Sequence, residues 1–193
     1  MSSADVVFEN AARVHVIRVL SEDACARLIA RAEVADAWDD SPAYSFSAEG
    51  NAAEVETRVS RSILERDRPD VFADVRPVVE QTFARFTGEG ASPRFVLSRF
   101  EVIRYEVGGN FPLHRDTRVG NTRRRYSFLA YLNDDFEGGA TAFPMIGRTL
   151  RPLRGQGILF PSPYLHAGEQ VVSGRKYVLT GYLGDLTTEP DWF

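Results

Sequence analysis

From Arg94 onward the chain is built of short β-branched and aromatic runs separated by turn residues: RFVLSRFEVIRY, RYSFLAYL, ATAFP, QGILFPS and RKYVLTGYL. Such spacing predicts an antiparallel sandwich or barrel and argues against alternating βαβ units. The first half has a different texture. After a short strand at RVHVIRVL, Ser21 is placed to cap a helix. Glu22 and Asp23 lie in its first turn, Ala24, Leu28 and Ile29 form its apolar face, and it ends near Val34. Asp70 opens a second helix in which Val71, Val75, Val78, Val79, Phe83 and Phe86 recur at helical spacing, with Gly88 or Gly90 to end it. Pro77 falls inside that pattern, so the helix is either kinked there or begins afresh with proline in its first turn. Ala37 to Glu54 is rich in Ser, Ala, Gly and Asp without clear periodicity and predicts a long surface loop, of the kind that can close over a substrate. The expected architecture is mainly β, with N-terminal helices packed on a C-terminal sandwich of jelly-roll type.

No Pro/Gly/Ser-rich linker divides the 193 residues, so one domain is expected over 1–193, its helical part about 1–92 and its β core about 93–186. The net charge of −4 gives no general attraction to nucleic acid or to an anionic membrane, and no apolar run has the length of a membrane span. The N-terminus lacks the pattern of an export signal, since Asp5, Glu9 and Arg13 interrupt its apolar windows. Cys25 is the single cysteine and reads as a small buried helix residue; neither an internal disulfide nor a thiolate zinc cluster can form. The expectation is a cytoplasmic protein with no nucleic-acid or membrane partner.

Candidate chemistry rests on three histidines. In NFPLHRDTRVG, an extended backbone puts His114 and Asp116 on one side and Arg115 on the other, so an imidazole and a carboxylate can reach one point. A mononuclear iron(II) site of the two-histidine, one-carboxylate type needs one more imidazole and leaves other coordination positions open. His166, in PSPYLHAGE, is the candidate; His15 sits in the apolar alternation of RVHVIRV with no carboxylate two residues away and reads as a structural histidine.

Three stretches, RYEVGGNFPLHRDT, YLNDDFEGGATAFP and GILFPSPYLHAGEQVVSGRKYVLTGY, resemble successive strands of the iron(II)- and 2-oxoglutarate-dependent dioxygenases of the prolyl 4-hydroxylase-like branch. The resemblance covers roughly Ser98 to Leu183, with weaker likeness at TRVSRSIL and VEQTFARFTG. It implies a double-stranded β-helix, a cupin-like jelly roll, with His114, Asp116 and His166 as metal ligands and catalytic residues. It further implies a basic residue that holds the far carboxylate of 2-oxoglutarate. Lys176 has the spacing of that branch, and the adjacent Arg175 is the alternative, since both cannot face inward on one strand. Tyr105, Tyr131 and Thr141 match positions that contact the cosubstrate in relatives. For the substrate, the resemblance points first to Arg58, with Arg61 beside it, and Arg118 follows the first two ligands in a basic loop.

The implied activity is hydroxylation of an aliphatic C–H bond in an amino acid, a small metabolite or a peptidyl prolyl residue. The implied cofactors are Fe(II), 2-oxoglutarate and O2, with ascorbate in support and succinate and CO2 released. Asp116 stands where related halogenases carry a small residue, which favours hydroxylation. Two other readings remain at this stage: a non-catalytic jelly-roll binding module, and a cupin-type metalloenzyme that needs no 2-oxoglutarate. The chain has few histidines for the latter.

Overall fold

The C-terminal runs sort their side chains onto two faces. Along Tyr126–Tyr131, Phe128 and Ala130 belong to one buried cluster while Leu129 and Tyr131 belong to another. Along Lys176–Asp185, Tyr177, Leu179 and Leu183 join the first cluster and Val178 the second. A period of two with both faces buried means a sheet covered on each side.

The computed structural model describes residues 6–9, 13–40, 43–46, 52–55, 60–86, 95–117 and 124–185. In chain order these form β1 (Val6–Glu9), β2 (His15–Arg18), α1 (Glu22–Ala35), β3 (Asp39–Asp40), β4 (Ala43–Phe46), β5 (Ala52–Val55), β6 (Arg61–Leu64), α2 (Pro69–Phe72), α3 (Arg76–Phe86), β7 (Phe95–Tyr105) and β8 (Phe111–His114). There follow β9 (Tyr126–Tyr131), β10 (Glu137–Gly138), β11 (Thr141–Phe143), β12 (Arg148–Leu150), β13 (Gln156–Pro161), β14 (His166–Gly168), β15 (Val171–Ser173) and β16 (Lys176–Asp185).

The large sheet has eight strands in the order β1-β2-β13-β9-β16-β7-β6-β3, and a four-stranded sheet runs β12-β11-β14-β8. All pairings are antiparallel. The inner face of the large sheet (Ile103, Tyr105, Tyr131, Ile158, Phe160, Val178) packs with Phe143 and Phe111 of the small one. Its outer face (Leu97, Phe100, Val102, Phe128, Leu159, Leu179) packs under the helices through Leu28, Phe72, Val79 and Phe83. The N-terminal part is therefore not only helical, because β1, β2, β3 and β6 extend both edges of the large sheet.

Ser21 caps α1, its hydroxyl accepting from the Ala24 N–H at 3.2 Å, and Cys25 is fully buried on that helix, where burial pushes its thiol up to about 11. The single helix expected from Asp70 is two helices: α2 starts at Pro69, and α3 begins afresh with Pro77 in its first turn, where the missing N–H has no intrahelical partner to lose. The expected loop from Ala37 to Glu54 is also corrected. Its described residues include β3 and the antiparallel pair β4–β5, so much of it is paired strand and not an irregular loop. No helix among the described residues is long and apolar enough to cross a membrane.

Phe128 ties the large sheet to the helices, with ring centroids 4.8 Å from Phe83 and 6.1 Å from Phe100. Phe128→Ala is expected to destabilise the protein by about 3–5 kcal/mol, read from the denaturant midpoint at unchanged m-value.

Candidate metal centre and adjoining pocket

His114 closes β8 and pairs directly with His166, the first residue of β14, so two adjacent strands aim both imidazoles inward. Asp116 lies just past the end of β8, where its N–H donates to Ser162 O at 3.1 Å and keeps the backbone extended long enough to bring the carboxylate back to the same point. One ligand atom from each of the three residues lies within 4.8 Å of the others. The Asp116 oxygens are 3.4 Å from His114 Nε2 and 3.7 Å from His166 Nε2.

Each imidazole is set by its other nitrogen. His114 Nδ1 meets Pro112 O at 2.8 Å and His166 Nδ1 meets Tyr164 O at 3.1 Å, contacts that place the N–H on Nδ1 and turn the Nε2 lone pair towards Asp116. Phe111 stacks on His114 at 3.5 Å between centroids, and Phe160 meets His166 edge-on at 4.6 Å, so neither ring can swing away. Burial holds His166 down to about 4, against the pull of Asp116. For Asp116, burial opposes ionisation, but His166, His114 and a hydrogen bond from Ser127 outweigh it and keep the carboxyl below its usual range. Near neutral pH the cluster presents one carboxylate and a neutral His166, a donor set that fits iron(II) with coordination positions to spare.

Lys176, the first residue of β16, points inward and is 3 % exposed. Asn133 fixes that choice: its side chain donates to Arg175 O at 2.7 Å and accepts from the Tyr177 N–H at 2.8 Å, bracketing the lysine. Arg175 accordingly faces out, on Glu106 at 2.9 Å and on the Tyr177 hydroxyl at 3.2 Å. The Lys176 ammonium donates to Gly139 O at 2.5 Å and reaches the Tyr131 hydroxyl at 3.4 Å; Tyr131 also bonds Thr141 Oγ1 at 2.8 Å. The Tyr105 ring lies 5.4 Å from the same nitrogen. Among the described residues no carboxylate pairs with this buried cation, and burial brings its pKa down to about 7. An ammonium so placed fits a dicarboxylate that enters with its own negative charge.

The residues expected at the cosubstrate, Lys176, Tyr105, Tyr131 and Thr141, thus share one buried cluster. Of those expected at the substrate, Arg61 does not join it. Arg61 sits on β6 beside Ile63, which packs under the helices, and its guanidinium bonds Asp40 at 3.1 Å, so strand alternation aims it away from the metal cluster. Arg58 and Arg118 lie outside the described residues. Sequence reasoning missed Asn133, Ser127 and the Gly139 carbonyl, whose roles depend on cross-strand register. Arg124 is a further contact that sequence reasoning missed, donating to Asp116 O at 3.2 Å.

Residues 100–184 match the model of the "2OG-Fe(II) oxygenase superfamily". That segment is similar to the 2OG-Fe(II) oxygenases. It holds every one of these pocket residues, and the family supplies the group that the donor set fits: Fe(II), with 2-oxoglutarate and O2 as cosubstrates. The chain is 33 % identical over 141 residues to a probable prolyl 4-hydroxylase 9 of Arabidopsis thaliana, covering 58 % of this chain and 48 % of that one. It is 34 % identical over 87 residues to a PKHD-type hydroxylase of Synechococcus, covering 42 % and 39 %. The chain therefore spans about half the length, or less, of these curated relatives.

Among solved structures, a viral collagen prolyl hydroxylase of Paramecium bursaria Chlorella virus-1, in complex with 2OG, aligns with TM-score 0.64 at 19 % identity, over 88 % of this chain and 94 % of that one. A prolyl hydroxylase of Trichoplax adhaerens, in complex with a hypoxia inducible factor peptide fragment, aligns with TM-score 0.69 at 15 % identity, over 92 % and 86 %. The two facing antiparallel sheets are those of the double-stranded β-helix that the 2OG-Fe(II) oxygenases share.

Gly139 shows how little slack there is around Lys176. Its φ is +61°, and a Cβ there would meet the Phe136 ring at 2.9 Å and Lys176 Cδ at 3.1 Å. Gly139→Ala is expected to cost about 1–3 kcal/mol of stability and to displace the lysine arm, seen as a changed Lys176 side-chain resonance by NMR.

Proposed function

We propose that the protein is a single-domain Fe(II)- and 2-oxoglutarate-dependent oxygenase that hydroxylates an aliphatic C–H bond. The observation that carries this reading is the presence of two buried devices: ligand atoms of His114, Asp116 and His166 within 4.8 Å, and the buried ammonium of Lys176 without a carboxylate partner among the described residues, whose neighbour Tyr131 bonds Thr141 on the strand paired with β14. His114, Asp116 and His166 hold the metal. Lys176 takes the far carboxylate of 2-oxoglutarate, and the hydroxyls of Tyr131 and Thr141, with Tyr105 as a wall, orient it. The bound metal supplies activation of O2, and the balance is substrate C–H, O2 and 2-oxoglutarate going to substrate C–OH, succinate and CO2.

The chain's own part is to leave metal positions open, to exclude bulk water with Phe111, Phe143 and Phe160, and to hold the cosubstrate still. A reductant such as ascorbate would keep a metal held by these residues ferrous. The substrate is a small molecule or a peptide side chain.

Anaerobic addition of Fe(II) and 2-oxoglutarate to the protein is expected to give the visible charge-transfer band of the chelate, and His114→Ala is expected to abolish it. A wild-type protein that shows neither the band nor 2-oxoglutarate-dependent succinate formation would sink the reading.

The affinity for 2-oxoglutarate carries a pH signature. Burial brings Lys176 down to about 7, so the ammonium dominates only below that pH, and the dianion must draw a proton onto the amine above it. Affinity is expected to fall with rising pH above about 7, by up to about tenfold per pH unit, with proton uptake on binding seen by calorimetry in buffers of different ionisation enthalpy. Lys176→Met is expected to remove the proton uptake along with most of the affinity.

A further inference from the structure

Strand β7 carries a fault in its alternation, on the side of the metal cluster away from Lys176. Glu101 pairs with Thr180 and Ser98 with Tyr182, so Arg99 and Phe100 stand opposite the single residue Gly181. This bulge lets both Leu97 and Phe100 reach the helix-side core, and it leaves Arg99 as the extra residue with φ +44°. L side chains rarely adopt that conformation, and a bulge of this kind re-aims the side chain it frees. Gly181 answers it from β16: a Cβ there would come within 2.8 Å of the Phe128 ring.

The freed side chain turns to the inner face. Arg99 Nε lies 3.4 Å from Glu101 Oε1, and Glu101 is 2 % exposed with no hydrogen-bond partner at Oε2. The Arg99 side chain is 28 % exposed and makes no hydrogen bond to the described residues through its terminal amino groups. Ser98, the residue before it on β7, pairs with Tyr182 of β16. Arg124 completes the group, 4.2 Å over the Tyr182 ring while donating to Asp116 O. A buried ion pair is poor support for stability, and a left-handed arginine at a bulge costs more than an ordinary strand residue would. What the arrangement offers is a charged fork, backed by a buried carboxylate, with its terminal donors open on the face of the sheet that Glu101 occupies.

We propose that Arg99, braced by Glu101, anchors a free carboxylate on the substrate, so that the enzyme acts on a small carboxylic acid of the amino-acid class in preference to a residue inside a peptide. This rests on the oxygenase reading above and adds the substrate class to it. Glu101 is a positioning residue that acts through the arginine.

The test uses the Fe(II)·2-oxoglutarate chelate band of the full chain, titrated anaerobically with the twenty free amino acids and with their carboxamides, and succinate formation with the same panel under air. At least one free acid is expected to perturb the band and to stimulate succinate formation, with its amide weaker by roughly 10- to 100-fold. Arg99→Gln is expected to raise the KM for that acid by a similar factor while keeping the chelate band, which also reports that the variant is folded. Arg99→Lys is expected to restore part of the loss. Glu101→Gln is expected to raise KM with a smaller change in kcat. An intact band that no free acid perturbs, amides that act as well as acids, or an Arg99→Gln variant with unchanged KM would each overturn the carboxylate anchor and leave the oxygenase reading standing. Absence of the band in the wild-type protein would overturn both.

Discussion

The register of β16 is the constraint on which the rest of the molecule depends. Its first residue, Lys176, must enter a buried pocket while its neighbours Tyr177 and Leu179 enter a different core on the opposite face. A shift of one residue would expose two apolar side chains to the pocket, drive the ammonium under the helices and expel Val178 from the inner cluster. Asn133 prevents the shift by bonding the backbone on both sides of Lys176, and Gly181, opposite the bulge in β7, lets the strand stay paired to its end. Because β9, β13 and β7 are registered against β16 or against each other, the same two contacts also settle which side of Tyr131, Phe160 and Tyr105 faces the pocket.

Much of this was legible before any coordinates. An imidazole and a carboxylate two positions apart on extended backbone share a side whatever the fold, so His114 and Asp116 could be paired from spacing alone, with His166 as the remaining candidate. Strand parity made Lys176 and Arg175 exclusive alternatives but could not choose between them. The choice belongs to Asn133, forty-odd residues away, and to the acceptors left for Arg175 on Glu106 and Tyr177. The helix at 70–86 was visible from its apolar spacing, and Pro77 marked the fresh start without excluding a kink. The segment from Ala37 to Glu54 misled because small polar residues score poorly as strands, yet a two-stranded hairpin asks only for extended backbone and a partner. Arg61 misled for a related reason, since its nearness in sequence to a plausible substrate segment says nothing about the face it occupies on β6.

Arg99 illustrates what lay beyond the reach of pattern. In SRFEVIRY it reads as one more charged residue two positions from a glutamate, an ordinary solvated pair. Only the count of residues on β7 against β16 shows that it is supernumerary, and only burial shows that Glu101 has left water. Bulges depend on two strands at once, so no single segment carries their signal.

The buried charges divide the interior into two ends with different physics. At the start of β16 the cation is nearly sealed and has given up much of its basicity to burial, a cost that is sensible only if an anion arrives to offset it. Near the other end of the strand, Arg124 lies over the Tyr182 ring and donates to Asp116 O, while Arg99 pairs with Glu101 and its guanidinium keeps contact with solvent. Lys176 and Tyr182 are six residues apart, roughly 20 Å of strand, with the His–Asp–His cluster across the interior between the two sheets. A sealed cation suits a dianion of fixed size whose charge is needed on every turnover. A screened, half-open arginine suits a ligand that must be recognised and then released, because its charge costs less to uncover when the ligand departs.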